Sequence, residues 1–95
     1  MIEVLTQRPI LPGFDTGDDE QIARHARSAV TAMAAVGVRM HWIRTYVTDD
    51  SLFGVVGFES EGDLKAFRLS SVIPALKMSV HRIARTIDPF LNRAE

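Results

Sequence analysis

An indole, a guanidinium and a phenol stand at alternate positions, Trp42, Arg44 and Tyr46, just ahead of the acidic pair Asp49-Asp50. In a strand, successive side chains point to opposite faces, so these three are expected to share one. That face would offer a stacking surface, a fork for an anion and a hydrogen-bond donor. Phe53 on the following segment extends the stacking surface, and Gly57, expected to pair near Trp42, leaves room beside the indole. A flat, partly apolar ligand with an anionic or carbonyl group fits this set. Trp42 and Phe53 would stack on it, Arg44 would hold a carboxylate, phenolate or enolate, and Tyr46 would donate to it. His41 or His81 could then serve as general base, with Arg44 and Tyr46 stabilising the oxyanion, an effect worth about 3 kcal/mol per well-placed donor. The plainer reading makes Trp42 and Tyr46 the core of a dimer interface and Arg44 an ion-pair partner of Glu59 or Asp63. His41 and His81 then become half-buried, hydrogen-bonded strand residues, and His25, beside Arg24 and Arg27, a solvated helix residue. The Asp49-Asp50 turn is explained by the backbone preferences of aspartate without a bound cation.

The elements that must position these groups follow from periodicity. Ile2, Val4 and Thr6 alternate with Glu3, Leu5 and Gln7, a first strand. Pro9, Pro12, Gly13 and Gly17 mark a loop, and Thr16 or Asp18 can cap a helix over roughly 18–36. Its acidic start, Asp18-Asp19-Glu20, suits the positive end of the helix dipole. Ile22, Ala26, Ala29, Val30, Met33 and Val36 recur at helical spacing, and Gly37 supplies the stop. A second strand over 38–48 and a third over 52–59 form a hairpin about the two aspartates. If that hairpin is symmetric, His41, Ile43, Thr45, Val47, Leu52, Val56 and Phe58 face the helices. Trp42, Arg44, Tyr46, Phe53, Val55 and Gly57 then face outward. Ser60 and Asp63 resemble a capping box that opens a second helix, with Leu64, Phe67 and Val72 toward the sheet and Pro74 at its end. A last strand is expected over 78–87, broken by Asp88-Pro89.

Composition narrows the function classes. Ninety-five residues, 46% apolar and 24% charged, make one ordinary globular domain with a modest core. A net charge of −1 without a basic stretch lacks the electrostatic footprint of a nucleic-acid binder. The absence of cysteine excludes disulfides, thiolate metal sites and a cysteine nucleophile. No segment approaches the roughly 20 apolar residues that cross a bilayer, and Met1 to Arg8 does not read as a signal peptide. A cytoplasmic location is the expectation. Phosphate loops, nucleophile elbows, metal-spaced histidine pairs and nucleotide fingerprints are missing from the sequence.

The order β-α-β-β-α-β, with two crossovers around a central hairpin, is the ferredoxin-like split βαβ arrangement, an α+β fold. Right-handed crossovers place both helices on one face of a four-stranded antiparallel sheet. The other face is left bare, and an aromatic bare face suits cover by a second copy or a ligand. A homodimeric α+β barrel is the expected assembly.

Two motifs, Trp42-Ile43-Arg44-Thr45-Tyr46-Val47-Thr48-Asp49-Asp50 and Arg85-Thr86-Ile87-Asp88-Pro89, resemble a small ferredoxin-like family of nickel-binding-protein-like domains. The resemblance covers most of the chain from Gly37 to Pro89, and more loosely the first strand and helix. It implies the same fold and, by kinship, nickel binding. Family members often carry histidine at the place of Arg44, cysteine at that of Gly54 and a second-helix histidine at that of Phe67. Nickel needs imidazole or thiolate donors, and none of the three groups present here can supply one. No metal ligand is therefore assigned.

These observations lead to one expected function and two alternatives. The first is binding, or cofactor-free conversion, of a small aromatic or polyketide-like metabolite by a dimeric barrel. The second is nickel binding, as the resemblance implies. The third is a structural or regulatory dimer.

Overall fold

A computed structural model of the chain describes residues 1–91. Strands β1 (Ile2–Pro9), β2 (Met40–Val47), β3 (Ser51–Phe58) and β4 (Ser79–Arg82) form one antiparallel sheet in the order β2-β3-β1-β4. Helices α1 (Asp19–Ala35) and α2 (Glu61–Arg68) follow β1 and β3, and a short turn of helix, α3 (Val72–Ala75), leads into β4. This is the expected ferredoxin-like α+β arrangement, with β1 and β3 in the middle and β2 and β4 as edges.

Local chemistry sets the ends of the elements. Asp18 caps α1 by accepting from the Gln21 amide at 3.1 Å. At the other end the Val38 amide returns to the Met33 carbonyl at 2.9 Å and the Gly37 amide to Ala34 at 3.0 Å. These paired bonds close the helix, and they require the left-handed backbone that Gly37 adopts at φ 83°. Val36, expected on the apolar stripe, instead forms this cap and is exposed. Ser60 caps α2 by accepting from the Asp63 amide at 3.1 Å. Pro74 sits inside α3 rather than ending the helical region, where its missing N–H costs no bond because first-turn donors have no partner.

The core lies between the helices and one face of the sheet. Val4, Val56 and Phe58 are fully buried, and Leu64, Phe67, Met33, Val38, Met40 and Met78 complete the cluster. Burial of each large side chain stabilises the fold by about 1.5–3 kcal/mol.

The hairpin between β2 and β3 turns about Asp49-Asp50 with Val47 opposite Leu52 and Arg44 opposite Val55, the symmetric register expected. Past Arg44 the symmetry ends. A bulge at Ile43 shifts the pairing, so that Trp42 lies opposite Val56 and His41 opposite Gly57. One extra residue reverses the faces of everything beyond it. Trp42 therefore packs on the helix side against the core, while His41 turns to the open side, the reverse of the sequence expectation for both.

β4 is also shorter than expected. Its ladder to β1 ends where the Ile83 amide donates to the Glu3 carbonyl at 2.9 Å, near the end of β1 itself. Residues 84–87 have no neighbouring strand, so pairing, rather than Asp88-Pro89, sets the boundary.

Candidate functional site

Between α1 and the edge strand β2 lies a groove of about 810 Å³, within the range of small-molecule pockets. Its existence follows from residue sizes. The α1 side contributes Ile22, Ala23, Ala26 and Val30, and the strand contributes Met40, Trp42 and Val47. Alanines opposite an indole leave space that leucines would fill. Trp42 is the wall. Its Nε1–H donates to Thr45 Oγ1 at 2.9 Å, which fixes the ring plane and leaves the Thr45 hydroxyl proton available to a ligand.

Gly54 positions the indole from beneath. A methyl group there would fall 2.5 Å from Trp42 Cζ2 and 2.7 Å from Thr6 Oγ1, so a side chain at this position must displace one of them. Gly57, expected to make room for the indole, lies opposite His41 instead and is covered by the Met1 side chain.

Charged groups border the groove. Arg27, on α1, is engaged with Glu20 at 2.6 Å, and Asp19 stands in the first turn of the helix. At the sheet edge His41 Nε2 pairs with Glu59 Oε1 at 2.7 Å, and the histidine holds the Glu59 carboxyl below its ordinary range. Arg44 donates to the Tyr46 hydroxyl at 3.3 Å, which strengthens its hold on its proton. It makes no ion pair with Glu59 or Asp63 among the described residues.

A second, smaller cavity of about 60 Å³ lies under α1 and adjoins the groove, sharing Ile22, Ala26, Trp42 and Thr45 with it. Arg8, Thr6 and His25 also line it. The Arg8 guanidinium stacks over Phe14, 5.5 Å from the ring centroid, and Phe14 meets His25 edge-on at 4.9 Å. Burial loosens the Arg8 guanidinium's hold on its proton.

The expected site residues thus divide. Arg44 and Tyr46 stand on the open face, with Phe53 opposite Tyr46, and Arg44, on the edge strand, also lines the rim of the groove. Trp42 is on the other side of the sheet. His41 and His81 do share the open face, but β3 and β1 lie between their strands. Three strand spacings, roughly 14 Å, separate them, too far to serve one atom. His81 lies at the opposite edge of the sheet from Arg44, whereas His41 borders the groove. Among the described residues, no group of three or more His, Asp or Glu side chains gathers as a metal site. No helix of these residues is long and apolar enough to cross a membrane.

Sequence reasoning missed Arg8. The signal was present, since the apolar alternation Ile2, Val4, Thr6 continues to a cation at Arg8 on the same face. A charge on a core-facing position breaks the local pattern, and such breaks cluster at functional sites.

No family model matches the chain, and no curated protein or solved structure matches it significantly. The resemblance to nickel-binding-protein-like domains therefore rests on the two motifs alone.

Proposed function

We propose that this protein binds a flat, largely apolar organic molecule bearing an acidic group, in the groove between α1 and β2. The observation that carries the reading is the 810 Å³ groove walled by Trp42. Its apolar floor provides area for burial, the indole a stacking face, and one neighbouring cation the orientation of the acidic group. The molecule is a small aromatic or polyketide-like metabolite, and a cytoplasmic location suits such a ligand. The site differs from the one expected on the open face, because the bulge carries Trp42 to the helix side. His41, bordering the groove and hydrogen-bonded to Glu59, is the group placed to move a proton if the bound molecule is converted.

Trp42 is the chain's single tryptophan, so its fluorescence reports on the site alone. Titration with 2-naphthoate should change that emission saturably. At about 100 times its dissociation constant the acid should add roughly 2.7 kcal/mol of stability. For a domain of this size that raises the thermal midpoint by about 10 °C or more. An unchanged emission and midpoint at millimolar acid would overturn the reading. Nickel serves as the contrasting probe, because a midpoint raised by nickel and not by the acid would restore the metal alternative.

The open face supports a companion proposal, a homodimer. Leu5, Phe53 and Val55 form a half-buried apolar band there, flanked by exposed Tyr46. A second copy over this band completes the α+β barrel. Sedimentation equilibrium showing only monomer at micromolar concentration would rule it out.

A further inference from the structure

We propose that Arg8 anchors the carboxylate of the molecule bound against Trp42, reaching it through the small cavity that adjoins the groove. The inference rests on the groove being a ligand site, and it narrows the ligand class to monocarboxylic acids with a flat apolar body.

Three observations converge on Arg8. First, it continues the helix-facing series Val4, Thr6, Arg8 of an interior strand, so its side chain emerges beneath α1 and lines the cavity there. Second, its guanidinium is half-buried and takes part in none of the ion pairs or side-chain hydrogen bonds of the described residues; its neighbour is the Phe14 ring. A cation withdrawn from water ordinarily recruits an anion, because attraction to a partner must offset its lost hydration. Third, the cavity and the groove lie against the same side chains, with Ile22, Ala26, Trp42 and Thr45 lining both.

The geometry gives the acid a defined pose. A ring stacked on Trp42 points its carboxylate past Thr45, whose hydroxyl can donate because its oxygen already accepts from the indole. Arg8 lines the same small cavity as Thr45, and its planar fork would match two carboxylate oxygens at once. Arg44 is the competing anchor. It lies exposed on the rim, hydrogen-bonded to Tyr46, where water screens any attraction.

The test compares 2-naphthoate with 2-naphthamide, which share a shape and differ in charge, by Trp42 emission. Wild type should bind the acid roughly ten- to hundredfold more tightly than the amide. Arg8→Gln should erase that preference while leaving amide affinity unchanged, and Arg44→Gln should keep it. A preference that survives in Arg8→Gln, or that vanishes in Arg44→Gln alone, overturns the assignment. Equal binding of acid and amide by wild type overturns it too, while leaving the groove reading intact. Loss of amide affinity in Arg8→Gln marks a structural role instead, and also overturns it. If wild type binds neither compound, the groove reading fails first and Arg8 falls with it. Should Arg8→Gln not fold, the Arg8 Nε–H resonance of the wild-type protein decides. It must shift with the acid and stay fixed with the amide.

Discussion

Across the middle of the sheet, Phe67 of α2 packs on Phe58 of β3 with ring centroids 5.2 Å apart, and both are buried to within 1%. Across from β2, α1 presents Ala23 and Ala26 to Trp42, and about 810 Å³ stays open. Both helices lie on the same face of one sheet, so topology does not distinguish them. Side-chain volume does. Large residues facing each other close the α2 side into core, and small residues facing a large one leave the α1 side as a pocket. The difference also tracks position in the sheet, because β3 has a strand on either side and β2 is an edge.

Truncating the closed side should have the largest effect. Phe67→Ala should cost about 3–5 kcal/mol in urea-induced unfolding, through lost burial and the cavity left behind. The mirror-image change, Ala26→Leu, should cost little or even stabilise, because it fills existing space. It should instead weaken 2-naphthoate binding at least tenfold. Equal destabilisation by the two changes would mean that both sides are core, and the contrast would collapse.

Gly54→Ala comes next. Its methyl group would meet the indole and Thr6 at distances that real contacts do not reach, so a cost of about 1–3 kcal/mol is expected. Because the glycine seats Trp42 from below, the variant should also change tryptophan emission without ligand. Lost stability with unaltered emission would show that Thr6, not Trp42, gives way.

The smallest effect concerns the cap of α2. The Arg39 backbone N–H, at 3.2 Å, and the Ser60 hydroxyl, at 2.9 Å, both donate to the Asp63 carboxylate. They hold its pKa below the usual value, the backbone bond foremost. A depressed carboxylate stabilises the fold fully above its unfolded pKa of about 3.9, and that contribution fades as pH falls through the lower folded value. Asp63→Asn should therefore trail wild type at pH 7 and converge with it in acid. A gap that is constant from pH 7 to 2 would show that charge plays no part in this cap.

Much of this organisation was legible along the chain. The helix stop at Gly37, the caps at Asp18 and Ser60 and the turn at Asp49-Asp50 each rest on interactions within a few residues, which sequence spacing encodes directly. The same holds for Phe58, Leu64 and Phe67 as core, since their periodicity matches the element that carries them. The candidate site was less legible. Arg44, Tyr46 and Phe53 came out on one face because the hairpin is symmetric up to Arg44. Trp42 and His41 were expected on the wrong faces and Gly57 beside the wrong partner, since a single bulged residue at Ile43 shifts all of these pairings at once.

The sequence by itself determined the order of elements, their caps and the ferredoxin-like topology, because these follow from local bonding and hydrophobic period. Tertiary structure alone decided which side of the sheet Trp42 faces and that β4 ends where β1 can no longer pair with it. It also decided that Arg8 lies beneath α1 beside the groove. Each of these depends on a register or a gap between segments far apart in the chain, and no single segment carries that information.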